Sequence, residues 1–331
     1  MRPKAVVFYH GDCDGVISAG LYIRHFLRDY FPDRIELKYS HPWRLHEDLE
    51  KAVKNLKDDV DLLVLLDLAI SSNVAEVIKH IASGGRISIV IVDHHPSSMR
   101  PLDALKALEK VKVYWLQSQS TPAVLASFLI KSMNDYERLL IKVADICEGG
   151  RGEDDEQAKA IADKVKLALA VEPDNEVLIR SSVESIVKGV EFWSTKEFNE
   201  KYSKAKWLLQ VLLKRIEERA TKVCNWSIVW FTASESIIYA GLFGIASTEY
   251  VKKFRTPIVL VREEEKKMVV TIRSPDRKAL DFCKQFAEDY GNVMNIMYGG
   301  HREAASLTIK KDKPLHVVIQ FVKEFIQKRF C

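Results

Sequence analysis

The sequence has no long hydrophobic run, no strong excess of either charge and few cysteines, and each absence narrows what it can be. Its longest apolar stretches, such as Asp61–Ile70 and Ile87–Val92, fall far short of the ~20 residues that span a bilayer. Met1-Arg2-Pro3-Lys4 leads straight into Ala5–Tyr9, without the apolar region or small-residue cleavage site of a secretory signal. Fifty Lys and Arg stand against 46 Asp and Glu, a formal charge of +4, so bulk charge alone does not mark a nucleic-acid binder. The five cysteines, at positions 13, 147, 224, 283 and 331, form no CxxC and no zinc-type pair. An odd, scattered set reads as reduced thiols, and the expected compartment is the cytoplasm. No Gly-x-x-x-x-Gly-Lys-[Ser/Thr] loop and no Gly-x-Ser-x-Gly elbow occurs, which leaves NTP-driven work and serine hydrolysis without support.

What is present is a chain of 331 residues, 47% of them hydrophobic, about twice the modal domain size. Its first third alternates β-branched runs with amphipathic stretches. Ala5–Tyr9, Arg34–Tyr39, Asp61–Asp67, Ile87–Asp93 and Val111–Leu116 read as strands, and Gly15–Tyr30, Leu45–Leu56 and Asn73–Ser83 as helices. Apolar strands interleaved with helices predict a doubly wound parallel sheet covered on both faces. From Thr121-Pro122, an N-cap followed by an N1 proline, helical spacing takes over. It runs through Asp135–Ile146, Ala158–Ala170 and Lys196–Ala220, with Glu153–Glu156 as a solvated acidic loop. The last hundred residues return to strands at Trp226–Thr232, Ile237–Gly241, Ile258–Val261, Met268–Ile272 and Ala304–Ile309, with helices near Ala279–Tyr290 and Pro314–Arg329. The expected organisation is α/β: an N-terminal domain over 1–190, a helical linker over 191–223 and a smaller α/β domain over 224–331.

The ends of the predicted strands carry the chemistry. The first runs into His10-Gly11-Asp12-Cys13-Asp14-Gly15, the third ends at Asp67, and the fourth ends in Asp93-His94-His95. All three lie at carboxyl ends of parallel strands, the edge where such sheets place ligands. Several carboxylates in one crevice cannot all stay ionised without compensation, and divalent cations supply it. Aspartate oxygens mixed with imidazoles suit Mn²⁺ or Mg²⁺ and admit Zn²⁺ or Co²⁺.

These motifs resemble those of the DHH phosphoesterase family, named for the triplet present here as Asp93-His94-His95. His10–Gly15 matches its His-x-Asp-x-Asp-Gly motif, Asp67 its strand-ending aspartate and Asp145 its later helical aspartate. Further on, Gly299-Gly300-His301-Arg302-Glu303-Ala304-Ala305 resembles the Gly-Gly-His-x-x-Ala-Ala motif of the accompanying DHHA1 domain, and Arg273-Ser274 its Arg-Ser strand end. Two departures stand out: Tyr298 replaces a third glycine, and Ser306 a glycine after the Ala-Ala pair.

The resemblance implies a DHH domain, a linker and a DHHA1 domain over the ranges above. It implies two Mn²⁺ ions, with Mg²⁺ or Co²⁺ as substitutes, one held by His10, Asp12 and Asp67 and the other by Asp14, Asp67, His94 and Asp145. Asp67 would bridge them, Asp93 would orient His94, and His95 would face the phosphate as a catalytic group. Arg273, Gly299, Gly300, His301 and Arg302 would bind the substrate phosphate. The implied activity is hydrolysis of single-stranded DNA or RNA, or of short oligonucleotides, by metal-activated water attack on phosphorus, as in RecJ-like and nanoRNase-like members, with 3′→5′ polarity favoured. The alternatives are a small-nucleotide phosphatase or phosphodiesterase acting on 3′-phosphoadenosine 5′-phosphate or dinucleotides, and a non-catalytic replication or repair scaffold. Expected partners are single-stranded nucleic acid and a repair or replication protein, with no membrane and with an oligomer open.

Overall fold

A computed structural model describes residues 4–55, 60–150 and 155–331. Leu56 at the end of the second predicted helix, and Glu153 and Asp154 of the acidic loop, lie outside the described residues. The chain divides into two compact units, Met1–Leu169 with Pro173–Tyr202, and Ala170–Glu172 with Ser203–Cys331.

The first unit is built on strands β1 (Lys4–His10), β2 (Ile35–Ser40), β3 (Val60–Leu66), β4 (Ser88–Asp93) and β5 (Val111–Trp115). All pair in parallel in the order β2-β1-β3-β4-β5. Side chains alternate across the pleat, so Ala5, Val7 and Tyr9 enter one core while Val6 and Phe8 enter the other. That is why the strands read as continuous apolar runs: both faces are covered. The helices are α1 (Cys13–Tyr22), α2 (Leu45–Asn55), α3 (Ser72–Ser83), α4 (Met99–Leu105), α5 (Thr121–Phe128), α6 (Asp135–Cys147), α7 (Glu156–Ala170) and α8 (Glu176–Lys188). The long helix read from Gly15 to Tyr30 is shorter in α form, passing through a π-helical turn at Ile23–Leu27 and a 3₁₀ turn at Arg28–Tyr30.

Helix α9 (Lys196–Arg219) contributes residues to both units. The second unit carries β6 (Thr221–Val223), β7 (Trp226–Phe231), α10 (Ala233–Tyr239), α11 (Leu242–Phe254), β8 (Ile258–Glu263), β9 (Lys267–Arg273), α12 (Ala279–Tyr290), β10 (Ile296–Gly300), β11 (Ala304–Lys310) and α13 (Leu315–Phe330). Its six strands form a mixed sheet in the order β10-β11-β9-β8-β7-β6, and only β7 and β8 run parallel. Trp226, Phe282, Phe286 and Phe325 anchor its core.

Two expectations are corrected. Ile237–Gly241 is not a strand: Ile237 and Ile238 lie on α10, which starts where the Glu235 carboxylate accepts the Thr232 N–H at 3.1 Å. Those isoleucines are 80% and 52% exposed, so the apolar pair that read as part of a strand is at the surface. The cysteines are also not all free thiols. Cys13 is bonded to Cys147 and Cys224 to Cys331, leaving Cys283 as a buried thiol. Folding brings together residues 134 and 107 positions apart, which linear spacing does not reveal. Among the described residues, no helix is long and apolar enough to cross a membrane.

Candidate metal centre

Strands β1, β3 and β4 are adjacent, and β1 sits where the chain turns outward to β2 before crossing back to β3. Such a switch point opens a crevice at the carboxyl ends of the strands. His10 ends β1, Asp67 follows β3, and Asp93 ends β4 with His94 and His95 after it. Asp12 then caps α1, its Oδ1 accepting the Gly15 N–H at 3.0 Å. Gly15 has to be glycine, because a Cβ there would lie 2.2 Å from the His10 carbonyl oxygen. Asp67 has φ 57, a left-handed conformation that aspartate tolerates better than bulkier residues and that concentrates at functional sites.

The side chains converge. His10 Nδ1 is 2.9 Å from Asp12 Oδ2 and 3.8 Å from Asp67 Oδ2. His94 Nε2 is 3.5 Å from Asp67 Oδ1 and 3.6 Å from Asp14 Oδ2. Candidate ligand atoms of His10, Asp12 and Asp67 lie within 4.8 Å of one another, as do those of Asp67, His94 and His95. Asp67 therefore belongs to both groups. Asp14 accepts the Thr121 N–H at 3.1 Å and the Ser18 hydroxyl at 3.1 Å, and Asp145 on α6 accepts the Ser120 hydroxyl. The structure thus places Asp14 against His94 but leaves both Asp14 and Asp145 outside the two tight groups.

Asp93 does not orient His94. Its carboxylate accepts a hydrogen bond of 2.6 Å from His95 Nδ1, while His94 Nδ1 lies 3.2 Å from the Ser118 carbonyl. The Asp93 carboxylate thus pairs with the imidazole two residues on, past the end of β4, while the His94 ring lies beside that of His95 with centroids 4.6 Å apart. The carbonyl partner requires the hydrogen on Nδ1 of His94 and leaves a lone pair on Nε2. That buried atom has no hydrogen-bond partner and is aimed at two carboxylates. An imidazole held by a backbone carbonyl and directing its free nitrogen among carboxylates matches the donor arrangement of a metal ligand.

The electrostatics agree with that fit. Burial and neighbouring carboxylates hold Asp14 and Asp67 above the usual carboxylate range, a repulsion that a divalent cation relieves. Burial works against the charge on Asp12 too, but the adjacent His10 outweighs it and lowers the group, while Asp12 and Asp67 raise His10 against its own burial. His95 is raised to about 9: the hydrogen bond and charge of Asp93 overcome desolvation and keep the imidazole protonated at neutral pH. Glu148 touches solvent yet is hemmed in by protein, and this desolvation, with the charges of Asp12 and Asp67, lifts it to about 7.

Sequence reasoning missed several residues of this shell. Thr121 entered only as the start of a helix, although its Oγ1 donates to Asp67 at 2.9 Å. Ser118 and Ser120 carried no motif at all. Glu148 had a findable signal, since it lies three residues after Asp145 at a helical spacing that puts both on one face.

In the second unit, Arg273 ends β9 opposite Ala304, and Gly300 ends β10 opposite Ala305. Arg273, Gly299, Gly300, His301 and Arg302 therefore gather at one end of the β9-β11-β10 part of the sheet. The Arg273 guanidinium donates to Thr248 Oγ1 at 3.1 Å and the Ile272 carbonyl at 3.0 Å, and burial lowers it to about 10. Gly300 has φ 128, and a Cβ there would lie 2.5 Å from the Ala304 carbonyl oxygen. Tyr298 is 47% exposed on β10. That strand escaped the sequence reading because its burial is low and it ends in two glycines.

Residues 4–150 match the model of the DHH family N-terminal domain, and residues 228–328 match that of the DHHA1 domain. No curated protein matches the sequence. Among solved structures, a DHH-domain protein described as a member of a family of ribosomal proteins superposes with TM-score 0.67 at 15% identity, covering 98% of this chain and 87% of its own. The pGpG-specific phosphodiesterase PggH of Vibrio cholerae gives 0.57 at 12% identity, covering 97% and 98%. RecJ of Thermus thermophilus in complex with Mn²⁺ gives 0.58 at 14% identity, covering 98% of this chain and 52% of RecJ. With both family models in order along the sequence and the DHH motifs gathered at one sheet edge, the chain belongs to the DHH/DHHA1 family.

Proposed function

We propose that this protein is a Mn²⁺-dependent phosphodiesterase that removes nucleotides from single-stranded DNA or RNA, or from short oligonucleotides, in 3′→5′ order. The observation that carries the reading is the buried, partnerless Nε2 of His94 facing the Asp67 and Asp14 carboxylates, with Asp67 shared between two candidate ligand groups. His10, Asp12 and Asp67 would hold one cation, and Asp67, His94 and Asp14 the other, with Asp145 completing the shell. Bound there, a pair of divalent cations supplies Lewis acidity toward the phosphoryl oxygen and a water nucleophile at neutral pH. His95, kept protonated by Asp93, offers a positive charge and a transferable proton beside the phosphate. Arg273 and His301 supply phosphate donors, Gly299 and Gly300 allow close backbone approach, and Arg302 adds a further cation. RecJ, which shares the fold, is known in complex with Mn²⁺ and with Mg²⁺.

A second reading takes dinucleotides or other small nucleotides as substrate, supported by the same fold in a pGpG-specific phosphodiesterase of matching length. A time course with 5′-labelled DNA and RNA of two, five and twenty nucleotides, in Mn²⁺ or chelator, separates the two. A metal-dependent ladder shortening from the 3′ end supports the first reading. Early release of labelled mononucleotide reverses the polarity, and cleavage confined to the shortest substrate selects the second. Intact substrate throughout, with Mn²⁺ bound, removes both and leaves the scaffold role.

A further inference from the structure

Just beyond the strand next to β1 lies a ladder of rings that the metal centre does not use. Ser40, the last residue of β2, is in register with His10, so His41 emerges beside the centre. The His41 ring stands edge-on to His10, with centroids 5.7 Å apart and planes at 81°. On its other side it lies nearly parallel to the Trp43 indole, 6.1 Å away at 10°. His41 is held by Asp174 at 3.3 Å. The Arg44 guanidinium covers Tyr39 at 5.2 Å and reaches the Trp43 ring at 5.9 Å, while Asp48 pairs with Arg44 at 3.0 Å and accepts the Ser40 hydroxyl at 2.7 Å. The segment is therefore braced from several directions, yet Trp43 remains 62% exposed.

A large aromatic kept in solvent forgoes the burial that ordinarily places tryptophan inside. Two ring-to-ring steps from a candidate metal ligand, with a cation alongside, it has the chemistry of a stacking platform. Every base offers a π-face, so such a platform grips single-stranded nucleic acid without reading its sequence. We propose that Trp43 stacks against a nucleobase neighbouring the scissile phosphate, making this loop a base-binding subsite. The inference rests on the phosphodiesterase reading for the position of the phosphate, but its binding arm does not need turnover.

The experiment compares W43A, W43F and, as a control of equal exposure on α9, W207F. With a five-nucleotide oligothymidylate and its abasic counterpart as substrates in Mn²⁺, the wild type has the lower KM for the substrate with bases. W43A raises that KM about tenfold or more and erases the advantage over the abasic strand, W43F keeps most of it, and W207F matches the wild type. Separately, in chelator, titrating the oligothymidylate quenches tryptophan fluorescence in wild type and W207F, and the quench is lost in W43F. Wild-type KM in W43A, or an undiminished quench in W43F, overturns the subsite. Absence of turnover by the wild type refutes the hydrolase reading alone, since the quench still decides the subsite.

Discussion

Thr121 donates its hydroxyl hydrogen to Oδ1 of Asp67 at 2.9 Å, fixing from the start of α5 a carboxylate that follows β3. The same residue's backbone N–H supports Asp14. Thr121→Val keeps the shape and the backbone donor but strips Asp67 of its side-chain support. The expected result is a fall in Mn²⁺ affinity of about ten- to a hundredfold, measured by calorimetry, with little change in chelator stability. Unaltered affinity would mean that Thr121 does not position the ligand.

Asp67→Asn should move stability and metal response in opposite directions. Without cations, burial and the neighbouring Asp12 charge oppose ionisation of Asp67, so the neutral amide removes a repulsion. In chelator the variant should melt higher than the wild type. In Mn²⁺ it should lose most of the cation-induced rise in Tm, because Asp67 is common to both candidate groups. Equal Mn²⁺-induced shifts in the two proteins would remove Asp67 from the ligand set.

A pH effect is expected well away from the centre. Burial disfavours charge on Glu137, but the Arg24 hydrogen bond at 2.7 Å, the Asn134 N–H and the nearby His25 together lower its pKa from the ordinary 4.5. A carboxylate with a depressed folded pKa stabilises the native state fully above its unfolded pKa, and the contribution is lost as pH falls through the folded value. Glu137→Gln should cost about 3 kcal/mol at pH 7, because Arg24 keeps a buried charge without its partner. Melting curves from pH 7 downward should show the gap to wild type closing only below about pH 4.5. A gap independent of pH would assign the loss to the N-cap of α6 instead.

The cysteine pairing is countable. In denaturant without reductant, alkylation followed by mass measurement should label one thiol, that of Cys283, and all five after reduction. Five labels before reduction would restore the reading drawn from cysteine spacing.

Much of the first unit is legible in the sequence because a parallel sheet covered on both faces demands continuous apolar strands, and Val6, Val64 and Ile91 supply them. The candidate ligands His10, Asp67 and His94 were legible because each sits at or just past a strand end. What linear reasoning could not show is orientation. Which histidine Asp93 meets depends on how the chain turns after β4, and Ser118, Ser120 and Thr121 acquire their roles only when the segment leading into α5 folds against the strand ends. The helix at Ile237–Ile238 escaped for a different reason: exposed isoleucines carry no periodic signal that separates helix from strand.

The strand order β2-β1-β3-β4-β5 also sets an order of events. Asp12 and His10 are made early, but their carboxylate partner Asp67 is delivered only when β3 has closed against β1, and His94 only when β4 has joined β3. Each step closes a loop of tens of residues before its contacts return any free energy, so the centre is complete only once all three strands have paired. Cation uptake would then report that this pairing is complete, making the site a built-in clock for maturation of the sheet.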